Sequence, residues 1–251
     1  MREFFTIIFY QPLWNALVFL YNLIPGQDIG LAIILLTVVL KLLLLPFSRQ
    51  ALVAQKAMQT LQPKLAALKE KFKDNREQLA KETMALYAAE KVSPLSSCLP
   101  LLIQLPILIA LYQVLRAGLG TASPELLYPF IKNPGILDPH FLGIMNLAHP
   151  NYALAMAAGL AQFVQSKMMQ VKAPPSAVAA SPGGRDESML STINKQMLYV
   201  MPVMTVFIGA SLPGGLTLYW LVTNLLTVLQ QYFFLRGNKK ETVFSSLKKN
   251  S

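Results

Sequence analysis

Few residues in this 251-residue chain have the types and spacing of a catalytic centre. The two histidines, His140 and His149, stand nine positions apart and make no His-Glu-x-x-His pair, which would set two zinc ligands on one helix face. No Gly-x-x-x-x-Gly-Lys-Ser/Thr loop is present to cradle phosphates, so no recognisable nucleotide motor is encoded. There is no Gly-x-Ser-x-Gly elbow and no pair of aspartates inside an apolar run. The single cysteine, Cys98, has no partner for an intramolecular disulfide. No Asp or Glu falls well inside any apolar stretch, so an ion-coupled transporter lacks an obvious ligand. The expectation is a non-enzyme with no cofactor and no metal.

What remains is a set of polar side chains embedded in long apolar runs. Lys41 stands six residues from the nearer end of its run, roughly 9 Å in at 1.5 Å per residue. An ammonium at a helix centre costs about 2.5–3.5 kcal/mol on insertion scales. Two readings are open. Lys41 snorkels to the nearer interface, or it faces a water-filled cavity shared with Thr37, Gln104, Gln162, Gln165, Thr217, Thr223 and Asn224. Each glutamine taken singly is more often helix-to-helix glue. On several different helices together they argue for a polar interior that would attract acidic groups.

The elements that carry these residues follow from composition. The chain is 54% hydrophobic and only 14% charged, with a mean hydropathy of +0.45, which is too apolar for a soluble domain. It reads as an all-α polytopic membrane protein. Runs of about 20 apolar residues place five transmembrane helices at 29–47, 95–116, 151–169, 193–212 and 216–235. Residues 1–28 form an N-terminal segment in which Phe4–Leu23 is interrupted by Gln11, Pro12, Asn15 and Asn22; it reads as an interfacial amphipathic helix, the alternative being a sixth span.

The net charge of +10 sorts the connections. Nine basic residues fall between Ser48 and Pro94, four between Lys167 and Lys195, and five after Leu235. The positive-inside rule therefore places 48–94, 170–192 and the basic tail 236–251 in the cytoplasm. The N-terminus, the loop 117–150 and the turn 213–215 lie outside.

In the first cytoplasmic segment Met58, Leu61, Leu65, Leu68 and Phe72 alternate spacings of three and four, the stripe of a helix seam. With a turn at Asp74–Asn75 and a facing stripe of Leu79, Leu86 and Tyr87, this predicts an antiparallel helical hairpin. Pro63 is expected to bend or interrupt its first arm. The hairpin is either a solvated linker or a docking platform for proteins or the membrane surface. Lys172–Glu187 has no apolar periodicity and reads as a flexible loop. The tail either anchors topology or binds ribosomal RNA through Lys239, Lys240, Lys248 and Lys249.

Four ordered stretches resemble the YidC/Oxa/Albino family of membrane protein insertases, in their bacterial, short five-helix form. The first is Gly30-Leu-Ala-Ile-Ile-Leu-Leu-Thr37-Val-Val-Leu-Lys41-Leu-Leu-Leu-Leu-Pro46. The second is Met58-Gln59-x-Leu61-Gln62-Pro63, and the third runs from Pro94 through Cys98, Pro100 and Gln104 to Pro106. The last begins Met201-Pro202-x-Met204 and continues through Leu212-Pro-Gly-Gly-Leu-Thr-Leu-Tyr219-Trp220 to Asn224 and Gln230-Gln231. The resemblance spans about Pro12 to Arg236.

It implies a hydrophilic groove, open to the cytoplasm and lipid and sealed outside, that receives the hydrophilic tail of a client without nucleotide hydrolysis. Lys41 occupies the position of the family's basic groove residue, usually arginine; lysine keeps the charge without the bidentate fork. Thr37, Gln104, Gln162, Gln165, Tyr219, Trp220 and Asn224 are the accompanying groove candidates, with Gln162 and Gln165 competing for the third-helix position. The implied partners are nascent or released membrane proteins, the lipid bilayer, and the ribosome and Sec translocon; the implied location is the bacterial inner membrane. The alternative activity for the same groove is a lipid scramblase or small channel.

One outcome follows from the sequence alone. Shortening a Pro/Gly/Ser/Ala loop with no apolar face changes closure entropy by well under about 1 kcal/mol. Deleting Pro174–Gly184 should therefore leave client insertion in proteoliposomes unchanged; loss of insertion by a normally expressed deletion variant would show that this segment binds something.

Overall fold

The computed structural model describes residues 2–73, 75–90, 99–118, 124–168 and 196–249. The flexible-loop reading of 170–192, Cys98, and the first residues of the spans read at 95 and 193 lie outside them. The described chain is nearly all helix. It comprises α1 (Arg2–Phe5), a π-helical turn at Thr6–Tyr10, α2 (Gln11–Leu23), α3 (Ile29–Leu43), α4 (Leu45–Lys71), α5 (Arg76–Ala89), α6 (Leu99–Gly118) and α7 (Tyr152–Met168). A second π-turn, Gln196–Val200, leads into α8 (Met201–Gly209), and α9 (Gly214–Lys249) ends the described chain. Two short antiparallel strands, β1 (His140–Phe141) and β2 (Met145–Asn146), pair in the connection between α6 and α7.

α9 is the hub: it packs on α7, α3 and α6, while α7 also packs on α8, and α2 on α3 and α6. Trp14, Leu17 and Val18 of α2, Ile29, Ile33 and Leu36 of α3, and Leu111 and Val114 of α6 form the buried core. Small residues set the closest approach. A side chain on Gly159 would put its Cβ 2.4 Å from Val206, and one on Gly209 would meet Ala155 at 3.3 Å. This is the small-residue seam by which helix backbones approach without a gap.

Two helix ends differ from the sequence reading. The first apolar run does not continue straight to residue 47: α3 stops at Leu43 and α4 leaves it at 65°. Pro46 takes one of the first two positions of α4, where its missing N–H costs nothing. Pro63 does not interrupt α4, because it removes a single donor from a helix of 27 residues held by the others. Beyond residue 235 the chain continues as helix to Lys249; the tail contains no proline to stop it. Glu3–Leu23 has the length and hydropathy of a span, so it satisfies the sixth-span reading as well as the interfacial one.

The connection 124–150 is stitched onto the helix ends by side chains. Asn15, buried on α2, donates to the carbonyls of Gln11 and Leu126, both at 2.8 Å, and its Oδ1 accepts from the Tyr128 amide at 2.6 Å. Asn22 donates to the Lys132 carbonyl at 2.7 Å, and the Tyr21 hydroxyl accepts from the Asp138 amide at 3.1 Å. Asp28 caps α3 through the Leu31 amide at 2.9 Å while its second oxygen accepts from Leu142, whose φ of 53° is left-handed. Phe141 lies against α3 in the space a side chain on Gly30 would need. The hydrogen bond from His140 holds the Asp138 carboxyl below the usual carboxylate range. At the other edge, Gly214 and Gly215 donate to the carbonyls of His149 and Leu147.

Asn15 is the anchor of this cap. Asn15→Leu leaves the Tyr128 amide without a partner, at about 1–3 kcal/mol, and the Leu126 carbonyl with only the longer Gln11 bond at 3.3 Å. Thermal unfolding in detergent should show a clear fall in midpoint; an unchanged midpoint would mean that the cap contributes nothing to the bundle.

Candidate functional site

Along α9 the polar residues recur at helical spacing, and Thr217, Tyr219, Asn224 and Thr227 reach another helix. Thr217 donates to the Gly209 carbonyl at 3.0 Å, joining α9 to the end of α8. Tyr219 is buried and its hydroxyl accepts from the Gln104 amide of α6. Asn224 donates to the Ala158 carbonyl of α7 at 3.3 Å. Thr227 accepts from the Lys41 ammonium at 2.8 Å, and its own hydroxyl proton goes to the Thr223 carbonyl at 2.7 Å. From Thr217 to Gln231 this polar stripe rises roughly 21 Å.

The Lys41 contact has a defined polarity. Because the Thr227 proton is committed to its own helix, its lone pairs face the ammonium. Thr37, one turn earlier on α3, is buried and donates to the Ile33 carbonyl at 2.6 Å, so its hydroxyl is occupied within its own helix. Five polar side-chain atoms are enclosed without a partner among the described residues: Trp14 Nε1 on α2, and, on α7 and α9, Gln165 Oε1, Thr223 Oγ1, Gln230 Nε2 and Gln231 Oε1. Asn224 bonds α7 at Ala158, and Gln231 and Gln165 each lie seven residues, two turns, further along. The unpaired amides therefore extend the same contact between α7 and α9.

Lys41 also borders a cavity of about 890 Å³ at the bend between α3 and α4, with α9 as its third wall. Arg49 of α4 and Gln230 of α9 line it, among Leu42, Val53 and Phe233. Among the described residues no carboxylate is in the lining. Lys41 is the one groove candidate from the sequence that borders it. Gln104 and Tyr219 pair higher in the bundle, Gln162 and Trp220 are half-buried elsewhere, and Asn224 is spent on α7. Thr227, Gln230 and Arg49 escaped selection, although Thr223, Thr227, Gln230 and Gln231 recur at spacings of three and four on one helix.

In the hairpin, α5 packs against α4 and is capped by Asn75 accepting from the Gln78 amide at 3.0 Å. Lys64 pairs with Glu90 across the two arms. Of the seam residues, Leu61 is buried, while Met58, Leu65, Leu68 and Phe72 are half-buried.

Comparison with known proteins gives a consistent result. Residues 19–241 match the family model described as 60Kd inner membrane protein. The chain is 34% identical over 229 residues to the membrane protein insertase YidC of Fusobacterium nucleatum, covering 90% of this chain and 97% of that one. With the membrane protein insertase YidC 1 of Halalkalibacterium halodurans the identity is 37% over 235 residues, 92% of this chain and 78% of the relative. The YidC of Syntrophus aciditrophicus is 36% identical, but the chain spans only 35% of that relative's length. Among solved structures, an active YidC insertase crystal structure with its first transmembrane domain resolved superposes with a TM-score of 0.61 at 25% identity, over 91% of this chain and 46% of that one.

The hold of Thr227 on Lys41 can be measured directly. A hydrogen bond to a charged group contributes about 1.5–3 kcal/mol. Thr227→Val should speed modification of Lys41 by a water-soluble amine reagent roughly tenfold or more, read on the Lys41 peptide by mass spectrometry. Thr227→Ser should react like the unsubstituted protein; equal rates in all three would show that the contact does not restrain the ammonium.

Proposed function

The chain belongs to the 60Kd inner membrane protein family, the family of the YidC insertases, and from that premise we propose that it inserts client proteins into the bacterial inner membrane. The proposed reaction is non-covalent and consumes no nucleotide. A client approaches from the cytoplasm with a short hydrophilic tail ahead of an apolar helix. The tail enters beside Lys41, which replaces part of its hydration and lowers the barrier to crossing. The apolar helix then partitions into lipid, and its burial supplies the driving force. A membrane potential, positive outside, adds about 2.3 kcal/mol per acidic charge per 100 mV.

The observation that carries this reading is the Lys41 ammonium itself. It is held by a neutral hydroxyl, borders an open cavity, and shares that cavity with Arg49 and no carboxylate. A structural ion pair would have had a counter-ion; this cation has its charge left for a ligand. The unpaired amides of Gln165, Gln230 and Gln231 offer further polar contacts to an unfolded tail, with Thr37, Gln104, Gln162, Tyr219, Trp220 and Asn224 as the accompanying groove residues. The topology proposed with it has the N-terminus and the 124–150 cap outside, and the 48–94 hairpin and the tail in the cytoplasm. There the half-buried Met58, Leu65, Leu68 and Phe72, with Leu61 beneath, support a docking face for the ribosome or the Sec translocon.

The test is insertion of single-span clients into proteoliposomes. Lys41→Arg should retain insertion. Lys41→Ala should slow clients with acidic tails about tenfold while slowing neutral-tailed clients less, as loss of one charge-assisted contact requires. Equal insertion of every client by both variants would reduce Lys41 to a snorkelling residue. Rapid lipid flipping by a protein that inserts nothing would replace the insertase by the scramblase reading.

A further inference from the structure

The cavity at the α3–α4 bend carries more positive charge than one client contact requires. Lys41 enters it from α3 and Arg49 from α4. A third cation, Lys56, sits with its ammonium 5.8 Å from the ring centroid of Phe234, which is itself part of the wall. Gln230 of α9 is the polar, uncharged residue of the wall. Among those residues no carboxylate pairs with any of the three cations. Two cations in the lining, brought together by the bend, with Lys56 beside its Phe234 wall, call for an anion rich in acceptor oxygens.

The rest of the wall says what the anion is attached to. Leu42, Val53 and Phe233 stand 61%, 54% and 62% exposed, forming an apolar flank continuous with the cationic pocket. A free phosphate would leave that flank bare; two acyl chains would cover it. The cavity volume of about 890 Å³ falls within the roughly 300–1,000 Å³ usual for small-ligand sites.

We propose that this cavity binds the phosphate headgroup of an acidic phospholipid, with Arg49, Lys56 and Gln230 around the phosphate and the acyl chains along Leu42, Val53 and Phe233. Lys41 lies at its inner edge, bonded to Thr227. The lipid is the resting occupant of the mouth, and a client's acidic tail displaces it; only this last step rests on the insertase reading.

The test uses the full chain in nanodiscs of equal parts phosphatidylglycerol and phosphatidylcholine, released for native mass spectrometry. The unsubstituted protein should retain phosphatidylglycerol in preference. Arg49→Gln and Lys56→Gln should each lower that retention about fivefold, the effect of one basic residue at an anionic surface. Arg49→Lys, which keeps the charge at this exposed position, should retain most of it. Equal retention of the two lipids, or variants indistinguishable from the unsubstituted protein, would overturn the site. So would removal of the lipid by excess inorganic phosphate, which would identify a free-phosphate site. The two readings fail separately. A protein that inserts clients but shows no lipid preference keeps its function and loses this site; one that keeps the lipid but inserts nothing does the reverse.

Discussion

An ammonium group set in an apolar helix needs an oxygen partner, and the hydrocarbon of a bilayer offers none. Much of the arrangement follows from how Lys41 meets that demand. Its partner lies on α9, 186 residues away in sequence, so α3 and α9 have to pack side by side with Lys41 and Thr227 at one level. The Thr227 hydroxyl in turn commits its proton to the Thr223 carbonyl, which fixes the direction of the contact. A carboxylate in that place would have neutralised the lysine and closed the site to acidic ligands. A hydroxyl satisfies one of the three ammonium protons and leaves the charge intact.

The two ends of the bundle are built on opposite principles. At the 124–150 end, Asn15, Asn22, Tyr21 and Asp28 use side chains to satisfy loop backbone that could not otherwise be buried, and Phe141 occupies the space beside Gly30. Backbone buried in this way is held by several contacts, each costly to break. At the other end the chain turns away at Leu44, and polar atoms of Gln165, Gln230 and Gln231 remain unmatched. One end has its loop backbone satisfied by side chains. The other keeps unmatched polar atoms, which on the proposed reading equip it to receive polar guests.

The sequence disclosed the parts that depend on local periodicity and left out those that depend on pairing. The apolar runs, the helical hairpin after residue 48 and the isolated Lys41 are all visible as patterns along the chain. The family match over 19–241 and the largely helical fold agree with that reading. Thr227 was overlooked because a threonine in a helix is unremarkable until the residue opposite it is known. The clustering of Arg49 with Lys41 depends on the 65° bend, and nothing in a run of leucines followed by Pro46 states an angle. Pro63 produces no interruption: its local cost is real, but 27 residues of helix absorb it.

The seam between α7 and α8 restricts how anything can leave the protein. Val206 fills the space a side chain on Gly159 would occupy, and Ala155 closes on Gly209, so the two helices meet backbone to backbone. No acyl chain can wedge into such a contact, and parting it would expose Gly159 and the carbonyl of Pro202 with no side chain to cover them. The pair is therefore a plank and not a door. On the proposed insertase reading, a guest helix escaping sideways passes around the edges of this plank, where small residues are absent.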